Sequence, residues 1–188
     1  MIFIDSGKLI LHQFNIFLIM KYFDLFGIPI QLKVDNAQLH KRYIELSRKF
    51  HPDYFINESS SMQTDALENS AALNKAYKTF KNMEETIRYV LMEKNLMEEE
   101  EKYELPAEFL MEMLELNEQM MEADVEEERE KLKSDLQNIE SGIYEPVKNI
   151  IENYREAATS AEELLQVKEY YYKKKYLDRI RQQLAGKA

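Results

Sequence analysis

The sequence predicts an all-α protein: a small N-terminal helical domain, then a C-terminal antiparallel helical bundle of about three helices. Three observations carry this. Gly and Pro are scarce, four of each in 188 residues, whereas Glu, Lys, Leu, Met and Tyr are plentiful, a composition that favours helices over turn-rich sheets. Apolar residues recur at three- and four-residue spacing along most of the chain beyond residue 35. No segment reads as a strand, and no glycine-rich loop is spaced to cradle a phosphate.

The first 19 residues, "MIFIDSGKLILHQFNIFLI", look like an apolar leader, but Asp5, His12, Gln13 and Asn15 interrupt the run. About 20 consecutive apolar residues would be needed to span a membrane, and no small-residue cleavage site follows. They are expected to be an N-terminal extension, disordered or read from an upstream start, with the working protein beginning near Met20. "YFDLFGI" (22–28) is a short apolar element packed ahead of the first long helix. Asp35 is an N-cap, and Leu39, Tyr43, Leu46 and Phe50 then share one face. Lys41, Arg42, Arg48 and Lys49 lie off that face. Pro52 ends the helix, because its ring crowds the residue before it, so a loop tip is expected at His51-Pro52-Asp53.

"NESSSMQ" (57–63) reads as a polar loop, and Thr64–Lys81 as a helix with Leu67, Ala71, Asn74, Ala76, Tyr77 and Phe80 near its inner side. The two helices flanking the tip would form an antiparallel hairpin. Glu85–Glu93 supplies a short fourth helix. The acidic "MEEEEKYELP" (97–106) reads as a linker or exposed turn, and Pro106 suits the first turn of a new helix. Helical patterning continues over about 107–123, 125–139, 147–158 and 161–184, with Gly142 and Pro146 marking a break or kink. The expected domains are thus 20–95 and 106–184, joined by a linker at 96–105.

Several function classes are excluded or disfavoured. With no Cys, the chain has no thiolate nucleophile, disulfide or cysteine-ligated metal, and a reducing compartment fits. His12, His40 and His51 lack metal-ligand spacing, so no metal or cofactor is expected. The formal charge of −10 argues against wholesale nucleic-acid binding. Residues 20–94 are close to charge balance, and nearly all the excess acid lies from 95 onward. Solvated helix faces account for the Glu-rich runs, so an enzyme with paired carboxylates is not expected.

Two motifs remain. The first is His51-Pro52-Asp53, set between a basic amphipathic helix and a polar loop, with "ALNKAYKTF" (72–80) following. The second is "AEFLMEMLELNEQMME" (107–122). There Phe109, Met113, Leu116 and Met120 fall within one narrow arc, which suffices for a core. Leu110, Met111 and Leu114 fall on another side, among Glu115, Glu118 and Glu122, as an apolar patch rimmed by carboxylates that the core does not explain.

The first arrangement resembles a J-domain, whose HPD tripeptide sits at the tip between helices II and III and stimulates ATP hydrolysis by DnaK-class chaperones. That role falls on His51, Pro52 and Asp53, with Lys41, Arg42, Arg48 and Lys49 steering the module onto an acidic chaperone face. With "MKYFDLFGIP" (20–29), "SAALNKAYKTF" (70–80), "RYVL" (88–91), the 107–122 helix and "KKYLDRI" (174–180), the chain resembles the HscB family, J-domain co-chaperones of iron–sulfur cluster assembly. The resemblance implies two partners: an HscA-like ATPase of the DnaK class and an IscU-like cluster scaffold. The scaffold would be held by Leu110, Met111, Leu114, Glu115, Glu118 and Glu122, with Tyr176 as an aromatic on the facing last helix. A general J-protein delivering unfolded clients to DnaK is the alternative; such proteins commonly add Gly/Phe-rich or zinc-binding segments, which this chain lacks.

There are departures from the family pattern. Tyr54 follows the tripeptide where Lys is common, Asn82-Met83 replaces a Pro-containing turn, Thr86-Ile87 stands where Arg-Ala is usual, and Tyr176 replaces Phe. No tetracysteine module precedes the J-domain-like segment, and a cytoplasmic protein of bacterial type is expected. The resemblance implies no catalytic residues, no nucleic acid and no membrane.

Overall fold

The structure is a computed structural model that describes residues 21–123 and 125–185. The expected N-terminal extension, residues 1–19, lies outside the described residues. All regular structure among the described residues is helical: α1 (Lys21–Phe26), α2 (Asn36–Lys49), a 3-10 turn (Pro52–Phe55), α3 (Ser60–Lys81), α4 (Met83–Glu93), α5 (Ala107–Glu122), α6 (Glu126–Glu152) and α7 (Ala161–Ala185). The chain divides into two compact units, one ending at Asn95 and the other beginning at Leu96.

In the first unit, α2, α3 and α4 each start where a polar side chain satisfies an orphan N–H. The Asp35 carboxylate accepts from Gln38 N at 2.7 Å, Ser59 caps Met62 N, and Asn82 accepts from Glu85 N at 2.8 Å. The α3–α4 corner thus turns on an Asn cap. Thr86, fully buried, donates its hydroxyl to the carbonyls of Asn82 (2.8 Å) and Thr79 (3.2 Å), so no polar group there is left unsatisfied.

The core contains an aromatic cluster. Phe23 packs on Phe80 with ring centres 4.4 Å apart, and Tyr22 stacks on Tyr89 at 4.9 Å. Burial pushes the Tyr89 phenol well above its usual range, and its oxygen accepts the Tyr22 N–H. The α2–α3 hairpin is registered by Tyr43 Oη donating to Asn74 Oδ1 at 2.8 Å and by a His40–Tyr77 hydrogen bond at 3.1 Å.

Helix α3 begins four residues earlier than the polarity of "NESSSMQ" implies, because Ser59 is the cap and the following residues are its first turn. Its inner stripe is also displaced. Ala66, Leu73, Ala76 and Phe80 are buried, whereas Leu67, Ala71 and Asn74 are exposed. Asn74 lies on the edge toward α2, where it meets Tyr43, and that edge is not core.

The second unit is a bundle of α5, α6 and α7. Phe109, Met113, Leu116 and Met120 of α5 close on Leu132 and Leu136 of α6 and on Leu177, Ile180 and Leu184 of α7. The break expected at Gly142 and Pro146 does not occur, and residues 126–152 form one helix. The carbonyl that Pro146 deprives of a donor belongs to residue 142, four positions back. Both residues are exposed, so water can serve that carbonyl. The real break is at 153–160, where Ser160 and Glu163 form a reciprocal cap: Glu163 N donates to Ser160 Oγ at 3.2 Å and Ser160 N to Glu163 Oε2 at 2.8 Å.

The acidic segment expected as a linker has no regular structure, yet it packs within the second unit. Met97 is buried, and the buried Lys168 of α7 donates to Leu96 O at 2.6 Å and to Glu101 Oε1 at 2.5 Å. Tyr103 stacks flat on Tyr172 at 4.4 Å. Burying an ammonium requires a partner, and that requirement draws this irregular segment onto α7.

Candidate functional site: an exposed His-Pro-Asp tip and an acidic apolar helix face

The tip follows from the way α2 ends. Phe50 N donates to Leu46 O at 2.9 Å as the last helical bond, and His51 turns to extended backbone (φ −64°, ψ 124°), the conformation a residue before proline adopts. Pro52 then opens the 3-10 turn. Asp53 N donates to His51 Nδ1 at 3.3 Å and Tyr54 N to His51 O at 3.1 Å. As acceptor, Nδ1 leaves the proton of a neutral ring on Nε2. Asp53 Oδ2 lies 3.6 Å from the same nitrogen, which cannot donate to it while accepting from the backbone. The Asp53 side chain is 75% exposed, so its carboxylate is available to a partner.

Of the four basic residues on α2, Lys41 and Arg48 are seven positions apart and share the face turned from the core, with exposed Ile44 between them. Lys49 Nζ sits over the Phe50 ring at 5.3 Å. Arg42 is tied down: Nε donates to Phe26 O at 3.0 Å and Nη1 to Glu45 Oε2 at 3.1 Å. Gly27 beside it adopts φ +61°, a left-handed turn that a side chain would strain. Arg42 therefore secures α1 to α2.

On α5, Leu110, Met111 and Leu114 are 41%, 64% and 60% exposed, while the four residues of the core arc are buried. Glu115, Glu118 and Glu122 are exposed beside them. Tyr176 is half-buried: it packs edge-on against Phe109 with ring centres 6.0 Å apart, and the Arg179 guanidinium lies 4.6 Å from its ring centre. Its ring thus belongs to the rim of the core.

On α5, Met121 is a further exposed apolar residue outside the expected site: at 75% it is the most exposed large apolar side chain among the described residues; its spacing from Leu114, seven residues, is the signal in the sequence that could have found it.

No group of three or more His, Cys, Asp or Glu among the described residues is placed to hold a metal ion. No helix among the described residues is long and apolar enough to cross a membrane. The His-Pro-Asp tip and the Leu110, Met111 and Leu114 face are both exposed surfaces.

Comparison with known proteins adds to this geometry. Residues 105–185 match the family model described as the HSCB C-terminal oligomerisation domain. The chain is 27% identical over 172 residues to the co-chaperone protein HscB homolog of Photobacterium profundum, covering 88% of this chain and 95% of that protein. It is 33% identical over 117 residues to the co-chaperone protein HscB of Proteus mirabilis, covering 62% of this chain and 68% of that protein. The crystal structure of human co-chaperone protein HscB superposes with a TM-score of 0.72 at 27% identity, over 88% of this chain and 81% of that one. The chaperone HscB from Vibrio cholerae gives 0.60 at 26%, over 87% and 98%.

Proposed function

Because the chain belongs to the HscB family of co-chaperones, we propose that it is an adaptor in iron–sulfur cluster assembly: its bundle holds an IscU-like scaffold while His51-Pro52-Asp53 triggers ATP hydrolysis by an HscA-like chaperone of the DnaK class. One observation carries the reading. The chain presents an exposed HPD tip on its first unit and an exposed apolar face rimmed by carboxylates on its second.

The mechanism needs no chemistry from this chain. Asp53, whose side chain is 75% exposed, accepts a charge-assisted hydrogen bond from a cationic chaperone side chain. Pro52 and the two backbone hydrogen bonds to His51 hold the tip, so little ordering entropy is lost on docking. Lys41, Arg48 and Lys49 draw the module onto an acidic surface, and Arg42 acts by fixing the helix that carries them. On α5, Leu110, Met111 and Leu114 anchor the scaffold and the carboxylates set its orientation, with Tyr176 bracing the base of the face through Phe109. ATP hydrolysis stays on the chaperone, and the chain itself is not an enzyme. Its lack of cysteine and its bacterial relatives favour the cytoplasm as its place of action.

The test is steady-state ATP turnover of a purified HscA-like chaperone with the full chain added, together with calorimetric titration of the chain with an IscU-type scaffold. The adaptor reading requires both stimulation and scaffold binding. Stimulation without scaffold binding would leave a general J-protein instead.

A further inference from the structure

The α5 face continues past the carboxylates assigned above. At 100° per residue, Leu110, Leu114 and Met121 fall within about 40° of one another, and at 1.5 Å per residue they span about 16 Å along the helix. Met111 stands about 60° beyond Leu114, beside Glu118 and Glu122. The exposed side chains of α5 thus form two parallel tracks: an apolar stripe of Leu110, Leu114 and Met121, and an acidic track that Met111 joins.

The polar residue inside the stripe does not interrupt it with an unmet donor. Asn117, half-buried between Leu114 and Met121, donates Nδ2 to Met113 O at 2.8 Å, so its amide is engaged by its own helix. Met121, by contrast, packs in no part of the bundle core; the neighbouring Met120 serves there. A thioether this exposed, in line with two exposed leucines, has no structural reason to be apolar.

Charge indicates what covers the stripe. From Tyr103 to Glu128 the sequence contains no Lys or Arg, so α5 has no cation of its own to neutralise Glu115, Glu118 and Glu122. An occupant must bring basic groups to the acidic track and an apolar ridge of matching length to the stripe.

Building on the adaptor reading, we propose that Met121 is a scaffold-contacting residue, and that the cluster scaffold docks through an apolar segment of about 16 Å with basic residues along the side facing Glu115 and Glu122.

The experiment is calorimetric titration of the full chain with a purified IscU-type scaffold. Met121→Ala should weaken binding about tenfold, the loss expected for one good apolar contact at an interface, with the melting temperature unchanged. Met121→Gln, of similar length but polar, should weaken it similarly, and Met121→Leu should bind like the wild type. The inference is overturned if Met121→Ala and Met121→Gln bind like wild type while the Leu110/Met111/Leu114 triple alanine variant loses the scaffold. It is overturned as well if both Met121 variants melt early, which would make Met121 a packing residue. If the triple variant also binds normally, the adaptor reading itself fails, and the two failures are told apart by that one variant.

Discussion

Asp53 isolates the action of the tip from its stability. Its carboxylate is largely exposed, 3.6 Å from His51 Nδ1, and its backbone N–H donates to that nitrogen in the turn. Asp53→Ala should leave the folding stability within about 0.5 kcal/mol of wild type, as exposed substitutions do, and should abolish stimulation of the chaperone ATPase. Losing one member of a desolvated charged pair costs about 2–5 kcal/mol. ATP turnover measured with a variant shown to be folded checks this; wild-type stimulation would remove the tip from the mechanism. The tripeptide was legible because proline leaves a hard local mark on backbone geometry. The division of labour among the basic residues was not: Arg42 is one more basic residue in the sequence, and only the approach of the Phe26 carbonyl and the turn at Gly27 reveals it as a fastening.

Helix α5 shows how far periodicity alone can go. The arc of Phe109, Met113, Leu116 and Met120 and the opposed exposed patch both follow from 100° per residue, and the bundle buries the first and leaves out the second. Phe109→Ala should therefore cost about 3–5 kcal/mol of stability, whereas the Leu110/Met111/Leu114 triple alanine variant should melt near wild type and lose the scaffold. Thermal melts and titrations of the same samples decide it; an unfolded triple variant would mean those residues are packed. Periodicity failed where neighbours decide which side is inner. In α3, Leu67 lies on an exposed face, and in α6 the solvent-facing Gly142 and Pro146 do not interrupt the helix. Between α6 and α7, Glu140 accepts from Arg181 at 2.5 Å and pairs with Lys174 at 3.2 Å, and Asp178 pairs with both cations. Burial alone would raise the Glu140 carboxyl; hydrogen bonds from Arg181 and Lys174 outweigh it and hold the group below its usual value of 4.5. Its contribution to stability is therefore complete above that value and is lost as pH falls through the lower folded-state value. Glu140→Gln should melt below wild type at neutral pH, with the difference shrinking as the pH drops below 4.5. Melts at stepped pH test this, and a constant difference would show that the ionised carboxylate is not the stabilising form.

At the scale of the whole molecule, charge is the plainest thing the sequence declares. The net −10 falls almost wholly from residue 95 onward, so scaffold binding should weaken as salt rises from 50 to 300 mM, by about tenfold if two or three carboxylates at the interface are paired; titration across that range checks it, and salt-independent binding would leave the carboxylates out of the contact. The two-part plan was equally readable, because the charge balance changes at the acidic run. What composition concealed was the allegiance of that run, since a glutamate-rich segment looks like tether until a buried lysine is found to need it. The Lys168 clamp bears on where the bundle can be cut free. The family match opens at residue 105, and a fragment made to that border would discard Leu96 and Glu101 and strand an ammonium inside α7. Stranding one half of a buried pair costs about 3–5 kcal/mol, a large part of what a small domain possesses. A piece of the chain that keeps the Lys168 contacts therefore starts at Leu96 and carries its acidic collar with it.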